Sequence, residues 1–288
     1  MSWNEWVALI LAAREVIPGD DADLTRILRD PQARVVLEGQ DGDGPAAQLA
    51  HYVRATISDD RLRHWASIID RVSAAEDTSV LVAGTEAYPP LLESCWDAPP
   101  LLFARGSMSN MQRVAIVGSR STTDSVLSMT ARVAAAVTQA GHEVVSGLAL
   151  GVDTAAHTAA LQAGGTTLAV MGTGIQHVYP AENQELAARI SGSGALISQF
   201  PPDAPRSSTS FLIRNHVIAG LSATSVVMAG EERSGSRNEA QAAVGYGRAV
   251  LLWEPELGAR KWATRMVHDE HARFFSTPDE AVAEMVSA

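Results

Sequence analysis

Apolar positions recur at helical spacing over roughly the first 75 residues and then give way to short continuous apolar runs, so the chain changes architecture once along its length. Trp3, Val7, Ile10 and Leu11 share one helical face, which Pro18-Gly19 ends. Asp20 or Asp21 can cap a second helix carrying Leu24, Ile27 and Leu28, and Asp30-Pro31 joins a cap to a proline at the first helical position. After the loop 41–45, Leu49, Val53 and Ile57 define a further helix. Ser58 can cap the last one, which turns Leu62, Trp65, Ile69 and Val72 inward. The pattern predicts a small all-helical domain over residues 1–75.

From Ser79 the period shortens. Ser79 to Ala83 reads as a strand, Tyr88-Pro-Pro-Leu-Leu as a turn, and Leu101 to Ala104 as another strand. Beyond Arg113, apolar runs of strand length alternate with helical stretches: Val114 to Val117, Glu143 to Val145, Thr167 to Met171, Ala195 to Ser198, Ser225 to Met228 and Ala249 to Trp253. Val126, Met129, Val133 and Val137 mark the first intervening helix, closed by Gly141, and Phe274 to Met285 a final strand and helix. Strands apolar on both faces and alternating with helices imply a parallel sheet. The expected fold class is therefore α/β: an extended Rossmann-like parallel sheet over residues 76–288, preceded by the small all-helical domain.

The net charge of −11 argues against a broad basic face for nucleic acid. The charge is uneven, at −8 for residues 1–109 and −3 for the rest, so an anionic ligand belongs to the second part, and the acidic helices suit a partner protein or packing. All basic residues but Lys261 are arginines, which makes forked phosphate contacts available. Cys95 is the sole cysteine and excludes an internal disulfide or a Cys-rich zinc site. No basic leader precedes Glu5, and the apolar stretch Trp6 to Ala13 is too short to span a bilayer. A reducing cytoplasm without membrane attachment is the expectation.

Ligands of such sheets bind beyond the carboxyl ends of the strands. There the sequence places Gly118-Ser119-Arg120, then Ser146-Gly147 with Gly151 and Asp153, then Gly172 and Gly174. Glycines allow close backbone approach, hydroxyls donate, and Arg120 adds a charged fork, so an anionic oxygen is the expected guest. Two later segments can join them. Phe211 to Ser222 reads as a helix that turns Arg214 and Asn215 to the crevice, and Ser234-Gly235-Ser236-Arg237 opens another helix whose start suits a phosphate. Neither a Gly-x-Gly-x-x-Gly nor a Walker motif is present, so no NAD or ATP site is expected and no cofactor is assigned. Asp153 is expected to cap its helix rather than to act in catalysis. His157 has no partner at metal-ligand spacing, and no metal is expected.

Together, Tyr88-Pro-Pro-Leu-Leu, Val114 to Arg120, Ser146 to Asp153 with His157, Val178-Tyr-Pro-Ala-Glu-Asn183, Arg214-Asn215 before Ile218 to Ser222, and Ser234-Gly235-Ser236 resemble the DNA-processing protein A (DprA/Smf) family over roughly residues 79–250. The resemblance implies a Rossmann-like fold behind a SAM-like helical domain, and binding of single-stranded DNA without catalysis. It also implies self-association as a homodimer and delivery of a RecA-type recombinase to incoming DNA in natural transformation. It puts Gly118, Ser119, Arg120, Ser146, Gly147, Gly151, Asp153, Gly172, Gly174, Arg214, Asn215, Ser236 and Arg237 at the phosphate site.

Some positions depart from the pattern. Leu212, Ile213 and His216 surround Arg214 where the family is more basic, Gln199 follows Ser198 in place of a glutamate, and no segment resembles the winged-helix module of many members. Gly235-Ser236-x-x-Glu239 also looks like the Gly-Thr-x-x-Glu element of the LOG-type nucleotide phosphoribohydrolases, with Arg214 upstream. The alternative reading is accordingly a nucleotide N-glycosidase or nucleotide sensor using Arg214 and Glu239.

Overall fold

The computed structural model describes residues 1–74 and 78–286. The expected boundary between residues 75 and 76 lies outside the described residues. The chain separates into two compact units, Met1–Ala104 and Arg105–Ala288.

In the first unit, helices α1 (Trp3–Val16), α2 (Asp21–Arg29), α3 (Pro31–Leu37), α4 (Pro45–Thr56) and α5 (Asp59–Ser73) are followed by strand β1 (Thr78–Val82), the short helix α6 (Pro90–Glu93) and strand β2 (Leu101–Gly106), whose last two residues belong to the second unit. The helix starts follow the side chains that the sequence offers. Ser2, Asp20, Asp30 and Ser58 each accept first-turn amide hydrogens, and Ser2 forms a reciprocal capping box with Glu5. Helix α1 is the centre of the unit, buried continuously from Trp6 to Ala13. Two expectations change here. Trp3 is 47% exposed because it begins α1, outside the packed turns, and α4 turns inward through Ala47, Ala50 and Val53 rather than through Leu49. Residues beyond α5 are tied to the same helices: the Thr25 hydroxyl donates to Ala98 O at 2.7 Å, and Arg29 pairs with Glu93 at 2.9 Å. Tyr88-Pro-Pro-Leu-Leu leads into α6 instead of forming only a turn.

The second unit continues with β3 (Arg113–Val117), α7 (Asp124–Gln139), β4 (Glu143–Ser146), α8 (Val152–Gln162), β5 (Thr167–Val170), a single 3-10 turn (Ala181–Asn183), α9 (Gln184–Ser193), β6 (Ala195–Ser198), α10 (Ser208–Leu221), β7 (Thr224–Val227), α11 (Gly235–Gly245), β8 (Ala249–Trp253), α12 (Glu254–Leu257), α13 (Lys261–His268), β9 (Arg273–Phe275) and α14 (Pro278–Val286). Within this unit the strands lie in the order β6-β5-β4-β3-β7-β8-β9, each described pair parallel. Strands β4 to β7 are buried at every position, which requires helices on both faces. Val114 and Ile116 pack in one cluster with apolar residues of α7, α8 and α14, while α10 and α11 pack against each other. The fold is α/β and Rossmann-like, as expected. Among the described residues no helix is long and apolar enough to cross a membrane.

The order places the site. The chain runs outward from β3 through β4 and β5 to β6, then returns to β7 on the other side of β3, where Val114 aligns with Thr224 and Val117 with Val227. Successive connections leave β3 and β7 in opposite directions, so a crevice opens beyond their carboxyl ends.

Candidate functional site

A cleft of about 470 Å³ occupies that crevice. Its walls are the loop after β3 (Gly118, Ser119, Arg120), the start of α8 (Asp153), helix α10 (Ser208, Phe211, Arg214, Asn215) and the start of α11 (Ser234, Gly235, Ser236, Glu239). Glycines set how closely these walls approach. A Cβ on Gly118 would lie 2.6 Å from a Val152 methyl, so glycine lets α8 close onto β3. Gly151 has φ +80°, and a Cβ there would stand 2.5 Å from Ser119 O and 2.6 Å from Arg120 O, which locks the β4–α8 loop against the Arg120 loop.

Arg214 forms the floor of the cleft. It is 5% exposed; one guanidinium nitrogen donates to Gly147 O and, at 2.6 Å, to Val170 O, and Nε donates to Asn215 Oδ1 at 3.1 Å. Burial pulls its pKa down to about 10, against the opposing charge of Asp153, so it stays cationic. Asn215 in turn donates to Gly235 O at 3.0 Å, tying α10 to the start of α11. Arg120 differs. It is exposed, lies 5.1 Å over the Phe211 ring, and pairs with no carboxylate among the described residues.

Asp153 does not cap α8, contrary to expectation. The cap position is Gly151, and Asp153 Oδ2 accepts instead from the amides of Gly147 (3.2 Å) and Ala149 (3.3 Å), fastening the β4 loop from within the helix. Burial raises its pKa and Arg214 opposes the rise. Glu239 lies farther along α11. Ser234 caps α11 alone, and Glu239, 1% exposed, accepts from the Ser225 hydroxyl at 2.6 Å while its Oε2 has no partner. Burial pushes its carboxyl up to about 8. His157 is buried with Nδ1 2.8 Å from Thr167 Oγ1, and the Thr167 hydroxyl is already committed to Val144 O at 2.7 Å, so Nδ1 carries the hydrogen. Burial lowers its pKa to about 3 and it remains neutral.

Of the residues expected at the site, Gly118, Ser119, Arg120, Asp153, Arg214, Asn215, Ser236 and Glu239 line one cleft. Others lie beside it. The Ser146 hydroxyl donates to Ile116 O at 2.6 Å, Gly147 backs the Arg214 guanidinium, and a Cβ on Gly172 would sit 2.4 Å from the Phe211 ring. The Gly174 amide is turned to Ala204 O at 2.9 Å. Arg237 points elsewhere, pairing with Glu232 at 2.6 Å and lining a separate depression with Lys261. Ser208 and Ile218 also line the cleft, outside the residues expected there. For Ser208 a signal existed: Ser207 and Ser210 form a capping box that starts α10 at the cleft.

Chemically, the cleft collects donors and little negative charge. The caps Ser207 and Ser234 each take up one first-turn amide of α10 and α11 and leave the earlier ones without an intrahelical acceptor, Arg120 is unopposed, and Glu239 is largely neutral near pH 7, so an anionic oxygen is the suited guest.

Residues 79–286 match the family model described as DNA recombination-mediator protein A. The DNA processing protein DprA of Bacillus subtilis is 32% identical over 217 residues, which take in 72% of this chain and 73% of that one. Two further relatives named Smf are 35% identical, and the matched stretch spans 48% and 49% of their lengths. The crystal structure of DprA from Streptococcus pneumoniae matches with a TM-score of 0.76 and 26% identity over 98% of both chains. DprA from Helicobacter pylori, whose structure is described as giving insights into a unique single-stranded DNA binding mode, shares the fold at a TM-score of 0.63 and 24% identity over 73% of this chain and 96% of that one. Because the family model matches residues 79–286, the span that contains every loop and helix start of the cleft, the chain belongs to the DNA recombination-mediator protein A family.

Proposed function

We propose that the cleft between β3 and β7 holds the phosphate backbone of single-stranded DNA, and that the protein is a binding protein of recombination rather than an enzyme. The observation that carries this reading is the pairing of an unopposed Arg120 at the rim with a buried, cationic Arg214 on the floor, between the starts of α10 and α11. A flexible single strand can bend a phosphate into such a recess. A stiff duplex presents its phosphates on a convex ridge and reaches the rim alone. Phe211 and Tyr179, whose ring centroids lie 5.7 Å apart, offer stacking surfaces that tolerate any base, so sequence preference is weak. The nucleotide N-glycosidase reading needs an ionised Glu239 to stabilise an oxocarbenium-like centre, and a carboxyl held up to about 8 is mostly neutral at pH 7.

Self-association and delivery of the strand to a RecA-type recombinase in the cytoplasm complete the proposal. They rest on family likeness, and light scattering with a recombinase-loading assay tests them.

Substituting Arg120 tests the site itself. Because its side chain is exposed, Arg120→Ala leaves the fold intact, lowers affinity for single-stranded DNA, and flattens the log–log salt dependence by about 0.7, the share of one neutralised phosphate. Unchanged affinity and slope in a fluorescence titration contradict the assignment.

A further inference from the structure

We propose that strand binding in the cleft is proton-linked through Glu239: a bound phosphate and the ionised carboxylate exclude each other, so an occupied cleft takes up a proton. This deepens the reading above and rests on it.

The geometry starts at α11. Ser236 and Glu239 stand three residues apart on that helix, hence on one face, and both line the cleft. A phosphate received by the opening amides of α11 therefore lies within one helical turn of the Glu239 carboxyl. The charged groups around Glu239 are few: Asp153 from α8, Arg214 from α10 and Arg120 from the loop after β3, with the Ser225 hydroxyl of β7 as its hydrogen-bond donor. With Glu239 neutral, the Arg214 and Asp153 charges on the floor balance, and Arg120 with the two helix starts makes the cleft attractive to anions. With Glu239 ionised, the floor carries two carboxylates against one guanidinium, and the added charge sits in a site with little water to screen it.

Burial, rather than hydrogen bonding, favours the neutral form. The Ser225 hydroxyl opposes this by donating to Oε1, but Oε2 is buried with no partner among the described residues, so ionisation would leave charge on an unsolvated oxygen. Burial holds the carboxyl near 8, inside the range where DNA binding is measured. His157 is neutral throughout that range and cannot produce the effect.

The sign follows. Below about 8 Glu239 is already protonated and affinity is flat; above it, binding must first return a proton, and affinity falls with rising pH, by up to tenfold per unit. The test is a titration of the full chain with an oligodeoxyadenylate, whose bases do not ionise here, from pH 6.5 to 9 at constant ionic strength, a range in which Arg214 keeps its charge. Calorimetry in buffers of different ionisation enthalpy counts the protons taken up. The wild type is expected to weaken above about 8 with uptake approaching one proton, and Glu239→Gln, compared with its own affinity at low pH, to show neither the fall nor the uptake. Wild-type uptake is read without any variant, so a poorly folding substitution does not spoil the test. A flat wild-type profile without uptake, or the same fall in Glu239→Gln, overturns the proton linkage alone. No binding at any pH overturns both this proposal and the assignment of the cleft to DNA.

Discussion

Arg214→Ala is expected to cost the protein about 3–5 kcal/mol of stability, the range found when one member of a buried charged network is removed. The guanidinium holds the ends of β4 and β5 together through Gly147 O and Val170 O, orients Asn215, and neutralises Asp153. Its loss strands two carbonyls and a buried carboxylate at once. Arg214→Lys keeps the charge but not the planar fork, and is expected to fall between the wild type and alanine. Urea unfolding followed by circular dichroism measures both. An alanine variant as stable as the wild type would show that Arg214 is a ligand contact only.

The second large effect is at Gly151, and it separates backbone strain from loop displacement. Alanine there meets φ +80° and two backbone oxygens, Ser119 O at 2.5 Å and Arg120 O at 2.6 Å, neither of which can yield without moving the loop that carries Arg120. Gly151→Ala is expected to destabilise by about 1–3 kcal/mol and to lower DNA affinity at least tenfold. Gly164 is the control. It has φ +79° but open space around its Cβ position, so Gly164→Ala is expected to carry the strain without the loss of binding. Equal affinities for the two variants would break the link between Gly151 and the Arg120 loop.

The sequence was most informative where structure is local. Asp20, Asp30-Pro31 and Ser58 are caps because a side-chain oxygen beside an apolar repeat has few other uses, and the strands were visible because burial on both faces leaves no polar alternation. The strand-end glycines were legible for the same reason. Tertiary consequences were not. No periodicity separates Trp3, at the free end of α1, from Val7 inside it, and the short α12 and α13 carry too little pattern to anticipate. The acceptors of Arg214 are main-chain carbonyls of β4 and β5, invisible to any side-chain motif. Asp153 looks like a cap in sequence and Glu239 like a catalytic carboxylate, and only the fold shows one reaching back to the Gly147 loop and the other bonded to Ser225 beside the cleft.

Whether this cleft receives the backbone of a single DNA strand is decided by one equilibrium titration: the full chain against a single-stranded oligonucleotide, its duplex and nucleoside 5′-monophosphates across a salt series. The single strand is expected to bind tightest, with log affinity falling linearly with log salt at about −0.7 per phosphate engaged, the duplex to bind more weakly, and the monophosphates to release no free base. Duplex binding as tight as single-strand binding, or single-strand affinity indifferent to salt, would contradict it.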